Sequence, residues 1–172
     1  WATVLSLSHS LRQDMEATVS AQQFSTVSLI AGEIDRSVRE RMGFVESISA
    51  RIAPETLATP AELQTYLEQR EIPESIFNWG LIVIDAHGIA IASTPEDLKR
   101  RGVDFSHYPG VKEILGGQRT LVADPLFSEH RQPPVVAMLA AIRAPNGKAV
   151  GAVIGVTNLA RPNFLDAISG AK

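Results

Sequence analysis

The chain has 172 residues, a formal net charge of −3 and no cysteine. That length suits one domain, or one domain with a long helical arm, and 45% hydrophobic with 20% charged residues is the balance of an ordinary folded protein. The charge argues against a nucleic-acid-binding chain or an acidic tail, and the missing cysteines exclude a disulfide framework, Cys-based zinc sites and thiol chemistry. No run of about 18 apolar residues occurs, so no helical membrane span is expected within the sequence.

The first third reads as helix. Leu7, Leu11, Met15 and Val19, and then Val27, Ile30, Ile34, Val38, Met42, Val45, Ile48 and Ile52, fall at steps of three or four. A helix of about 50 residues would run roughly 75 Å at about 1.5 Å per residue, longer than a small domain. Two readings follow: a membrane-proximal stalk that also dimerises, or two ordinary helices with a kink near Gln22 or Gly32. The sequence begins at Trp1, not Met, and no signal peptide is visible in it. We expect the natural chain to begin earlier, and Trp1 suits a segment leaving a membrane interface as well as a chance surface position.

Thr59 followed by Pro60, Ala61 and Glu62 predicts a helix with a hydroxyl cap and proline in the first turn, running to about Arg70. From Trp79 the pattern becomes β-rich. Gly80 to Asp85 and Ile89 to Ser93 flank Asp85-Ala86-His87-Gly88, a hairpin turn. Thr120 to Ala123, Val135 to Ile142 and Ala149 to Thr157 read as three further strands, the last two joined by the turn signal Asn146-Gly147. The segment between the second and third strands predicts a helical turn near Pro95 to Arg100 and a short helix from Pro109 to Leu115, stopped by Gly116-Gly117. The tail from Leu159 to Ile168 is compatible with helix. The order is α+β with a five-stranded antiparallel sheet. One face should pack on the long helix, and the crossover should cover the other and enclose a small cavity.

Catalytic signatures are missing. His9, His87, His107 and His130 form no i, i+4 pair and no HExxH occurs, so no metal is expected. No nucleophile elbow, dinucleotide fingerprint or P-loop is present. Gly151 to Gly155 lies within a strand, where small residues let something pack closely. Asp104, Ser106 and His107 lie together in sequence, but catalysis needs convergence in space, and turn-fixing is the plainer role. The loop DPLFSEHRQPP, residues 124–134, could bind. His130 and Arg131 there can pair with an anionic group or simply be solvated. Tyr108 and Phe127 can wall a pocket or fill a core.

Three stretches, GLIVIDAHGIAIAS, RGVDFSHYPGVKEILGG and PPVVAMLAAIRAPNGKAVGAVIGVTNL, resemble the Cache family of sensor domains, which share a PAS-like fold, and SAQQFSTVSLIAGEIDRSVRERMGFVESISARI is similar to the stalk helix of such receptors. The resemblance implies a periplasmic, small-molecule-binding domain between two membrane spans outside this sequence, with a cytoplasmic histidine kinase or diguanylate cyclase as output. It also implies a ligand such as an organic acid or amino acid, and a homodimer through the N-terminal helix. Many relatives carry an Arg-x-Tyr-Phe run that holds a carboxylate. Here Tyr108 falls at the Arg, Gly110 at the Tyr and Val111 at the Phe, or His107 at the Arg after a shift of one.

The expectation is therefore a stalk and dimerisation helix over residues 1–58 and a single sensor domain over 59–172. It is a sensing module, not an enzyme, with no cofactor and no nucleic-acid partner. The candidate ligand-binding residues are Ser93, His107, Tyr108, Asp124, Phe127, Arg131 and Met138. A ligand-free dimerisation or protein-interaction module is the alternative.

Overall fold

The hydrophobic stripe of the first third does form helix: α1 spans Ala2–Ser49. The computed structural model describes the backbone of residues 2–70, 72–126 and 133–166, and side chains from residue 25 onward except that of Asp97. The chain divides into two units, one of them Val38–Phe164 and the other drawn from the chain's two ends. In the terminal unit α1 exposes Val27 and Leu29. In the larger unit the last turns of α1 bury Val45 and Ile48, with Val38 and Met42 partly buried beside them. The residues at the start of the stripe, Leu7 to Val19, lie outside the described side chains.

A 3-10 helix, Pro54–Ala58, leads into α2, Pro60–Glu68. Thr59 precedes the helix as expected, but its hydroxyl caps no backbone N–H. It donates instead toward the Thr56 carbonyl and the Glu62 carboxylate, each at 3.1 Å. Proline in the first turn has already removed one of the donors a cap would satisfy.

Five strands follow: β1 (Leu81–Asp85), β2 (Ala90–Thr94), β3 (Thr120–Val122), β4 (Val135–Arg143) and β5 (Ala149–Asn158). They form one antiparallel sheet in the order β2-β1-β5-β4-β3. Both hairpin turns are made by the residues that signalled them. Asp85 Oδ1 accepts from the N–H groups of His87 at 2.8 Å and Ile89 at 3.0 Å, and Asn146 Oδ1 accepts from Lys148 N at 3.0 Å. The crossover carries a 3-10 turn, Glu96–Leu98, and α3, Val111–Leu115. The start of the tail is not helical: residues 159–165 form turns and bends, Asp166 is helical, and residues 167–172 lie outside the described residues. Asn78 explains this path, since its side-chain amide donates to the Asn158 and Pro162 carbonyls at 3.1 and 3.0 Å and accepts from Asn158 N at 2.7 Å. A clip at these points turns the chain just after β5.

Side chains alternate across the sheet, and the two faces build separate cores. On one face Leu81, Val83, Met138, Ile142 and Val153 pack with Val45 and Ile48 of α1, Leu63 and Leu67 of α2, and Phe77. On the other, Ile82, Ile84, Leu139, Ile154 and Val156 pack with Val111 and Ile114 of α3. The outer edge of β2 is covered by Gln64: its Nε2 donates to Ser93 O at 2.9 Å and its Oε1 accepts from Ser93 N at 3.0 Å. A primary amide presents the same donor and acceptor as a neighbouring strand would, so this edge is closed to pairing with another chain.

Candidate functional site

The face of the sheet turned away from α1 is only partly filled by α3. The remainder is a cavity of about 730 Å³. Its floor follows from strand register. Ile82 pairs with Ile154, which pairs with Leu139, and Val156 pairs with Ala137. Directly paired residues share a face, so these five side chains make one apolar surface, and all line the cavity. The crossover supplies the opposite wall with Leu98, Lys99, Arg100, Val103, Phe105 and Tyr108. Ala123, Asp124 and Leu126 close the side beyond β3, with Pro133 and Val135 before and at the start of β4.

Backbone contacts hold the crossover over this floor. Gly102 N donates to Ala90 O at 2.7 Å, Ala90 N to Val103 O at 2.9 Å and Phe105 N to Gly88 O at 2.9 Å. Arg100 anchors the near end. Its Nη1 donates to Trp79 O at 2.7 Å and its guanidinium lies 4.9 Å from the centroid of the Trp79 ring. The rings of Phe105 and Tyr108 meet at 4.9 Å with a tilt of 49°, a favourable aromatic geometry.

The seven expected ligand residues are not brought together as a set. Tyr108 and Asp124 line the cavity. Met138 does not: it is fully buried on the opposite face, among the residues packed against α1 and α2. The reason is parity. Val135, Ala137 and Leu139 face the cavity, so Met138 between them must face the helices. Ser93 is buried at the β2 edge with its backbone held by Gln64, and His107 is exposed; neither lines the cavity. Phe127 and Arg131 lie outside the described residues, as does His130. Asp104 and Ser106 form a turn: Ser106 N donates to Asp104 Oδ1 at 2.8 Å. Hydrogen bonds from the Ser106 hydroxyl and N–H hold the Asp104 carboxyl below the usual carboxylate range, with His107 adding a smaller effect.

Gly110 explains why the Arg-x-Tyr-Phe pattern is broken here. Its φ is 82°, a conformation that side chains rarely adopt. A Cβ at this position would stand 2.5 Å from Leu121 Cδ1 and 3.2 Å from the Ala123 Cβ. A tyrosine there would be strained and would collide with Leu121.

No protein-family model and no curated protein matches the sequence. Solved structures do match. The ligand-binding domain of the amino-acid chemoreceptor PctC from Pseudomonas aeruginosa PAO1, in complex with GABA, aligns with 84% of this chain at 24% identity and a TM-score of 0.62. The sensor domain of the histidine kinase DctB from V. cholerae aligns with 86% at 18% identity and a TM-score of 0.64, and the E. coli DcuS sensor domain with 81% at 17% and 0.54. The fold is that of a Cache, PAS-like sensor domain. The chain spans 66% of the PctC domain and 56% of the DctB domain, and 97% of the DcuS domain. These neighbours are sensor and ligand-binding domains, not catalytic ones. No helix among the described residues is long and apolar enough to cross a membrane.

Proposed function

We propose that this chain is the extracytoplasmic small-molecule sensing domain of a bacterial membrane receptor. The observation that carries the reading is the cavity of about 730 Å³ between the sheet and the crossover, a volume within the range of ligand pockets. Its place in a fold shared with a GABA-bound chemoreceptor domain supports the same reading. In this proposal the receptor is anchored by membrane spans outside these residues, lies in the periplasm on this side, and passes its signal to a histidine kinase or diguanylate cyclase. Helix α1 serves as stalk and homodimer contact, a role favoured by the exposed Val27 and Leu29, and its last turns belong to the core of the sensor.

Tyr108 and Asp124 are the expected ligand-facing residues that line the cavity. Phe127 and Arg131 are retained as contributors because Leu126 and Pro133, which bracket their segment, also line it. The wall residue Trp79 follows Asn78, whose side chain holds Pro162 in the exit segment. Movement at Trp79 would reach the C-terminal exit through one peptide unit. A ligand shifts that equilibrium only through unequal affinity for the two arrangements.

Thermal unfolding with a panel of organic acids, amino acids and amines tests the role. A compound at 100 times its Kd stabilises the native state by about 2.7 kcal/mol, raising Tm by about 5–10 °C for a domain of this size. A panel in which no compound moves Tm would argue for the ligand-free interaction module.

A further inference from the structure

We infer that the cavity selects an apolar monocarboxylate, an aliphatic or aryl acid, with its carboxylate held by Lys99. This rests on the sensing role proposed above and names the ligand class for that site.

The first ground is the apolar floor that meets the ligand body. The floor residues Ile82, Ala137, Leu139, Ile154 and Val156 carry no polar side-chain atom, and several backbone donors around the cavity are already engaged. Tyr108 N donates to Phe105 O at 2.9 Å, Val111 N to Tyr108 O at 3.2 Å, Ala123 N to Ala137 O at 2.8 Å and Leu126 N to Val135 O at 3.0 Å. Pro109 and Pro133, also in the lining, have no N–H to offer. A small amino acid brings an ammonium, a carboxylate and often a polar side chain. Placed over this floor, each would leave water without regaining its hydrogen bonds, and such burial is unfavourable. A hydrocarbon chain loses nothing there.

The second ground is the charge at the rim. Among the described residues, three of fixed charge sign line the cavity: Lys99, Arg100 and Asp124. Arg100 is engaged with Trp79 through both its Nη1 and its π-face contact. Lys99 follows the 3-10 turn with a left-handed φ of 47°. Among the described residues its ammonium makes neither hydrogen bond nor ion pair. A carboxylate is the complement it lacks. Asp124, exposed beyond β3, repels a second anionic group, which favours one carboxylate over two.

Titration calorimetry of the 172-residue chain with butyrate, hexanoate, octanoate, phenylacetate, octanamide, GABA and L-serine tests the inference. Each added methylene should tighten binding about fourfold until the cavity is full. Octanoate should bind at least about tenfold tighter than octanamide, the gain expected from a charge-assisted contact. In Lys99→Gln that preference should vanish while octanamide affinity stays unchanged; Lys99→Met provides a second neutral variant. A flat chain-length series, or GABA and L-serine binding more tightly than octanoate, overturns the ligand class and leaves the sensing role standing. Unchanged octanoate affinity in both Lys99 variants overturns the head-group assignment. If neither the apolar nor the hydrophilic compounds bind, both readings fail together.

Discussion

Gly155→Ala is expected to destabilise the Val38–Phe164 unit by about 3 kcal/mol. Gly155 lies in the central strand β5, and a Cβ built there would enter the Phe77 ring, with Cε1 and Cε2 at 2.5 Å. Phe77 is buried beneath the sheet with Phe44 beside it, ring centroids 6.2 Å apart, so its packed ring must shift to admit a methyl group. Gly151, four residues earlier, is similarly restricted: a Cβ there would stand 2.5 Å from Ile84 O. Close approach to the Phe77 ring at Gly155 and to the Ile84 carbonyl at Gly151 is therefore what the two glycines supply. Urea unfolding of the single and double variants of Gly155→Ala and Phe77→Leu measures the effect. The two substitutions should couple strongly, because the smaller side chain at residue 77 relieves the collision. Additive changes would show that Gly155 is not held by Phe77.

The second large effect concerns the cavity. Ala137→Trp should lower affinity for any ligand of the site by about 100-fold or more, while stability stays the same or rises by about 1 kcal/mol. Ala137 lines the cavity from β4, and its carbonyl accepts from Ala123 N at 2.8 Å. A larger side chain leaves that bond intact, and tryptophan is well suited to a strand. The indole would occupy the space above Leu139 and Val156 that the account assigns to ligand. Calorimetry gives the affinity and thermal unfolding the stability. Full retention of binding with a folded protein would mean that the ligand binds elsewhere.

Much of the fold was legible in the sequence because turn residues announce themselves locally. Asp85 to Gly88 and Asn146-Gly147 bracket strands whose observed limits differ from expectation by a residue or so. The helical stripe from Val38 to Ile48 became the covering layer for the same reason: its period is a local property. The site was less legible. Val135 to Ile142 is apolar at every position, so no alternation indicates which side chains face the cavity. Parity is set by pairing with β5, and choosing Met138 in place of Ala137 or Leu139 puts the residue on the wrong face. The alternation anchored on Ile82 and Ile154 was the one signal available. Arg100 and Trp79 were missed because their contact joins positions 21 apart in sequence. Lys99 was missed because its place depends on a left-handed residue after a 3-10 turn, for which a lysine gives no sign. Gly110 is the opposite case: its departure from the Arg-x-Tyr-Phe pattern could be read directly, and the structure supplies the steric reason.

The central claim is that ligand binds between the sheet and the crossover. Methyl NMR of the chain, titrated with the tightest compound from the panel, tests it most directly. The account predicts shifts concentrated at Ile82, Leu98, Leu139, Ile154 and Val156, with Ile142, Val153 and Met138 on the helix-covered face nearly unmoved. Shifts confined to Val27, Leu29 and Ile30 of α1, or to the helix-covered core, would contradict it.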